Sequence, residues 1–152
     1  MSGPRIEVQI IPRFAGSVDE GGLRRAALEA LRREGVTGEV ELALVVTDDE
    51  GIRELNRRFR GVDAPTDVLA FGRGGDDDFV FAPQEPPYLG DVIISYERAL
   101  VQAEEQGHPV EKELALLVIH GLLHLLGYDD ADEEGRKEMW ARQEEILGLL
   151  GE

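Results

Sequence analysis

The stretch PVEKELALLVIHGLLHLLG, residues 109–127, decides the fold. Proline stands at its start and glycine at its end, the residues that open and close helices. From Leu114 to Leu126 the residues are apolar apart from His120 and His124. A helix apolar on every side offers no face to water, so it belongs at the buried centre of the molecule, and its two histidines become the feature to explain.

Residues four apart lie on one helical face with Cβ atoms about 5–6 Å apart. Two imidazoles so placed can converge on one ion at bond lengths of about 2.0–2.1 Å. Gly127 then releases the chain, which leaves Tyr128, Asp129 or Asp130 free to fold back as a third ligand. A pair of core histidines bonded to backbone carbonyls is the competing explanation, and the glycine turn with its carboxylates favours metal. His108, ahead of Pro109, has no such company and is expected at the surface.

Working outward, residues 5–11 and 39–47 carry the β-branched and apolar content of strands, the second turning fully apolar as a central strand does. Residues 19–35 bring Leu23, Ala26, Ala27, Ala30 and Leu31 to helical spacing, and residues 47–61 open on a capping Thr47 or Asp48 and close at Gly61. Residues 67–72 and 89–96 read as strands, separated by a stretch at 73–87 whose Gly, Asp and Pro content marks an exposed loop. Helices follow at 97–107, 109–127 and 131–150. Met139, Trp140, Ile146, Leu147 and Leu150 are the expected contact residues of the last helix, with this core rather than with a second subunit as the expected surface. The order βαβαββααα predicts an α+β fold with a small mixed sheet.

At 152 residues the chain is expected to form one domain over 1–152. It contains no cysteine, so disulfides and thiolate metal sites are excluded and any metal must be held by His, Asp or Glu. No apolar run reaches the roughly 18 residues of a membrane span, and the opening MSGPRIEVQIIPRF lacks the pattern of a signal peptide; the expectation is a soluble, intracellular protein. A formal net charge of −16 argues against a general polyanion binder, so any nucleic acid must be met by a local patch.

The frame His-x-x-x-His-x-x-Gly-x-x-ligand looks like that of the zincins. Position 121 is glycine where a zinc protease of that type places its catalytic glutamate, and without that base a peptidase reading loses its acid/base group. A second block, ELNRRFRGVDAPTDVLAFG at residues 54–72, sets Arg57, Arg58 and Arg60 beside a turn and an apolar strand. Guanidinium forks suit phosphate oxygens, and cations also favour a helix C-terminus, so spacing alone leaves both roles open.

Taken in order, LNRRFRGVDAPTDVLAF, YLGDVIIS and HGLLHLLGYDD resemble the YbeY family of bacterial metal-dependent single-strand endoribonucleases, from about Thr47 onward. The resemblance implies an α+β fold with the histidine helix packed on a four-stranded sheet and a zinc site in a cleft. It also implies a cytoplasmic role in ribosomal RNA maturation and ribosome quality control, with single-stranded RNA and the small ribosomal subunit and its proteins as partners, and neither membrane nor DNA. By position, His120 and His124 match the first two metal histidines, Arg60 the functional arginine, and Asp129 an orienting group behind the ligands; Arg57 and Arg58 are expected to guide RNA. The family run usually ends Gly-Tyr-Asp-His, whereas Asp130 stands here in place of the third histidine. A carboxylate there makes a harder ligand set, open to Mn2+ or Fe2+ as well as Zn2+. The alternative of another class is a noncatalytic ribosome-associated module with a structural or lost metal site; a structural site would be closed by a fourth ligand such as Asp129 or Asp132.

Overall fold

A computed structural model describes residues 3–36, 38–72 and 87–150 of the chain. The expected loop at 73–87 lies outside the described residues, apart from Pro87.

Four strands form one sheet in the order β1-β2-β4-β3: β1 Arg5–Ile10, β2 Glu41–Thr47, β3 Val68–Gly72 and β4 Tyr88–Ser95. β1, β2 and β4 run parallel, and β3 joins β4 antiparallel at the edge. The sheet is therefore mixed, as the element order predicts. The helices are α1 Glu20–Arg33, α2 Asp49–Arg60, α3 Tyr96–Gln106, α4 Val110–Leu125 and α5 Glu133–Leu149. A 3-10 turn at Pro12–Phe14 was not anticipated.

The period-two alternation of the strands sorts the two faces. Leu42, Leu44 and Val46 of β2, with Val92 and Ile94 of β4, join the larger core against α1, α4 and α5. Ile93 and Leu69 point the other way and build a smaller cluster with Ile52 of α2, onto which Val45, Leu55 and Phe71 pack. The central strands are apolar on both faces because helices cover both.

α4 is the buried helix the sequence predicts. Leu117, Val118, Ile119, Leu122 and Leu123 are buried, and the helix touches α1, α3, α5, β3 and β4. At roughly 1.5–3 kcal/mol for each large apolar side chain, this burial fixes the helix axis to within the tolerance of a packed core. Gly121 explains how close it comes to the sheet: a Cβ there would lie 2.6 Å from one methyl of Val92 and 3.4 Å from a methyl of Val68. The residue that departs from the zinc-protease pattern is thus the one on which the helix seats against the sheet, with no room for a glutamate.

Two expectations are corrected. His108 is largely shielded rather than on the surface: its Nε2 lies 2.7 Å from Glu113 Oε1, and Gln102 donates to Glu113 Oε2 at 2.7 Å. Glu113 is only 4% exposed, and a carboxylate buried in the first turn of α4 needs such donors. Trp140 is 60% exposed and takes no part in the core, because α5 turns Met139, Ile146 and Leu147 inward and leaves Trp140 on its outer side.

Candidate metal centre

His120 and His124 project from the last two turns of α4 with ring centroids 4.8 Å apart and planes at 76°. The helix ends at Leu125, and Gly127 takes φ 107°, a left-handed value that favours glycine. Its N–H donates to His124 O at 3.1 Å and that of Tyr128 to Leu123 O at 3.0 Å. This reversal carries Asp130 back over the histidine face. Asp130 Oδ2 lies 4.0 Å from His120 Nε2 and 3.7 Å from His124 Nε2.

Of the three third-ligand choices left open by spacing, the fold thus brings Asp130 to the histidines. Tyr128 turns away: its hydroxyl donates to Glu34 Oε1 at 2.8 Å and accepts from Arg142 Nε at 3.1 Å. Asp129 Oδ1 accepts from Ala131 N at 3.0 Å, and Asp132 caps α5 by accepting from Gly135 N at 2.7 Å. Among the described residues, the group able to hold a metal is His120, His124 and Asp130, whose ligand atoms all lie within 4.8 Å of one another.

The donor set fits a divalent ion. Tetrahedral bonds of about 2.0–2.1 Å separate ligand atoms by about 3.4 Å. Asp130 Oδ2 is within a few tenths of an ångström of that spacing from each imidazole, and because the three ligand atoms spread over as much as 4.8 Å the two imidazoles must also draw together around the ion. Burial first, and then the neighbouring His120, hold the His124 imidazole below its usual range, which favours the neutral form a metal requires. His120 has a partner the sequence reading missed. Its Nδ1 is hydrogen-bonded to Gln143 Oε1 of α5, which leaves Nε2 as the free lone pair on the cleft side. Gln143 is only 5% exposed and shares the inward face of α5 with Met139, Ile146 and Leu147. A polar residue inside an apolar helical stripe was the signal that could have revealed it.

Facing the histidines across a cleft of about 400 Å³ stand Thr66, Asp67 and the inner side of β3, with Arg60 at one end. Arg60 Nη2 donates to Ala70 O at 3.0 Å, and its guanidinium lies 5.4 Å from the centre of the Phe71 ring. Arg57 and Arg58 do not line this cleft. Arg57 is engaged by Glu54 of its own helix, with Nη2 2.5 Å from Oε2, while the Arg58 guanidinium sits 5.3 Å from the Phe59 ring centre.

This arrangement has relatives. The model of the family described as Endoribonuclease YbeY matches residues 18–151. A protein of Roseiflexus castenholzii named Endoribonuclease YbeY is 48% identical over 96% of this chain and 92% of its own length. Its namesake in Chloroflexus aurantiacus is also 48% identical, covering 96% of this chain and 95% of that one. A Thermotoga maritima protein solved in solution matches with a TM-score of 0.61 at 29% identity, over 93% of this chain and 86% of that one. Identity near one half across nearly the whole length, on a fold that also builds the cleft, makes this chain a member of the endoribonuclease YbeY family.

Proposed function

We propose that the chain is a metal-dependent endoribonuclease that cuts single-stranded RNA, with ribosomal RNA in the cytoplasm as its substrate and residues 1–152 acting as one domain. The observation that carries the reading is the convergence of His120, His124 and Asp130 beside Arg60 in one cleft, in a chain of this family.

His120, His124 and Asp130 would hold one divalent ion, zinc being favoured by the imidazoles and Mn2+ or Fe2+ admitted by the carboxylate. Bound there, such an ion supplies Lewis acidity toward a phosphate oxygen and toward water. Gln143 holds His120 in the tautomer that presents Nε2. Arg60, tethered through Ala70 O yet lining the cleft, neutralises charge on the scissile phosphate as it grows. Asp129 stiffens the turn that delivers Asp130. A cleft walled by α4 and β3 admits one strand, which gives the preference for unpaired RNA. Three protein ligands leave a coordination position for chemistry, whereas a structural site would be closed by a fourth.

The test is elemental analysis of the dialysed protein beside Asp130→Ala, followed by cleavage of a labelled single-stranded RNA with the metal found. About one ion per chain, lost on substitution together with cleavage, is expected for this shell. Absence of a bound ion in both proteins after zinc or manganese is offered would overturn the reading. Products ending in a 2′,3′-cyclic phosphate would replace water with the RNA 2′-hydroxyl as the nucleophile.

A further inference from the structure

We propose that Phe59 is a stacking platform for an unpaired RNA base at the mouth of the metal cleft; the proposal rests on the endoribonuclease reading above. Phe59 lies on the last turn of α2, one residue before Arg60, and is 62% exposed. Single exposed apolar residues are ordinary, and exposure alone would carry nothing. The surroundings of this ring are what point to a ligand.

Its ring centre is 5.5 Å from that of Phe71, at a tilt of 59°. Phe71 is itself partly buried against the cluster of Ile52, Leu69 and Ile93 and forms a fixed base for it. The Arg58 guanidinium stands 5.3 Å from the Phe59 ring centre, and the Arg60 guanidinium 5.4 Å from that of Phe71. The surface thus runs Arg58, Phe59, Phe71, Arg60 and then the histidine cleft.

Among the described residues, neither Arg58 nor Arg60 lies within 4.0 Å of a carboxylate, whereas Arg53 is paired with Asp63 and Arg57 with Glu54. On a chain of net charge −16, two neighbouring guanidinium groups that form no ion pair among the described residues stand here beside an exposed ring. Two cations flanking a pair of rings offer a single strand what it presents side by side, phosphates for the guanidinium groups and a base face for the exposed ring. A ring reads any base by its face and finds none on offer along a paired helix, so the platform adds to single-strand preference without imposing sequence.

The experiment compares wild type, Phe59→Ala, Phe59→Leu and Phe59→Trp, all metal-loaded. It measures KM and kcat on a short single-stranded RNA and, by anisotropy, binding of the same RNA and of a duplex. Phe59→Ala and Phe59→Leu are expected to raise KM and weaken single-strand binding roughly ten-fold, with kcat and duplex binding little changed. Phe59→Trp is expected to restore single-strand binding and to have its fluorescence quenched by RNA beyond the Trp140 background. Because Phe59 is exposed, unchanged melting temperatures are expected throughout. Wild type that binds and cleaves RNA beside a Phe59→Ala that does so equally well would overturn the platform alone, and would reassign the ring to a protein contact. Equal losses for single strand and duplex, or a leucine variant as good as wild type, would also overturn it. Wild type that neither binds nor cleaves RNA would remove the endoribonuclease reading and the platform with it.

Discussion

The two walls of the cleft are built by different physics. On the α4 and α5 side the ligands are held from behind by shielded polar contacts. Gln143 fixes His120, and the Tyr128 hydroxyl is clasped between Glu34 and Arg142, so the turn leading to Asp130 is tied to both α1 and α5. On the α2 and β3 side Arg58, Phe59 and Arg60 face water and are ordered by ring contacts and by the bond from Arg60 to Ala70, while behind them Asn56 donates to Ala64 O at 2.9 Å. A metal tolerates little error in ligand position, whereas a flexible strand of RNA is met by exposed groups that can adjust. Substitutions in the first wall should therefore change metal affinity and stability, and those in the second should change RNA affinity and turnover.

The widest breach of that division would come from Arg60, which belongs to the exposed wall but lines the cleft. Arg60→Ala is expected to lower kcat by roughly 10²–10³, the usual loss when one donor to a developing oxyanion is removed, with metal content unchanged. Elemental analysis and turnover on one preparation check both halves. Loss of the ion would place Arg60 in the wrong wall.

Gln143→Leu probes the opposite wall. With Nδ1 of His120 left without its partner, metal affinity should fall about 10–100-fold, as is typical when an orienting partner is removed. Competition against a chromophoric chelator measures it, and RNA binding by the surviving metal-loaded fraction should match wild type. An unchanged affinity would mean that packing alone orients the ring.

Smaller effects are expected from changes that leave the ligands in place. Gly121→Ala drives a methyl toward Val92, which is fully buried and stiff at χ1, so α4 must lift from the sheet; the expected loss is about 1–3 kcal/mol in denaturant unfolding. Tyr128→Phe removes a hydroxyl that donates to Glu34 and accepts from Arg142, and a loss of about 0.5–1.5 kcal/mol is expected. If the tyrosine change proved the costlier of the two, the turn rather than the seat of the helix would be the stiffer support.

These networks also mark where sequence reasoning stopped. The strands, the long helices and the histidine pair were legible because apolar periodicity and the Pro and Gly boundaries are local signals. α4 runs from Val110 to Leu125 within the stretch read for it, and Ser95 ends β4 and caps α3 where that strand was expected to meet a helix. The sheet order was not legible. Nothing local says that β4 enters between β2 and β3, yet that insertion puts Thr66, Asp67 and β3 opposite the histidines. His108 was misplaced because its partner Glu113 reads as one more solvated acid in a helix's first turn. Trp140 was misplaced because an aromatic beside Met139 looks apolar enough to be buried, while the phase of α5 turns it outward.

The finest test of the exposed wall separates two neighbouring arginines that the sequence could only group. Arg57 is paired with Glu54, and that bond holds the Glu54 carboxyl below its usual range; Arg58 faces a ring instead. To meet a phosphate, Arg57 must exchange one anion for another, whereas Arg58 gives up only a weak contact with Phe59. Each direct phosphate contact on a single strand contributes about 0.7 to the slope of log K against log salt. Arg58→Ala is therefore expected to flatten the slope by about that amount, and Arg57→Ala by less. Titrations of single-stranded RNA at several salt concentrations resolve the two slopes. Equal flattening would mean that Glu54 releases Arg57 when RNA arrives. In that case Glu54→Gln should tighten binding, because the phosphate would no longer compete with a carboxylate for the same guanidinium.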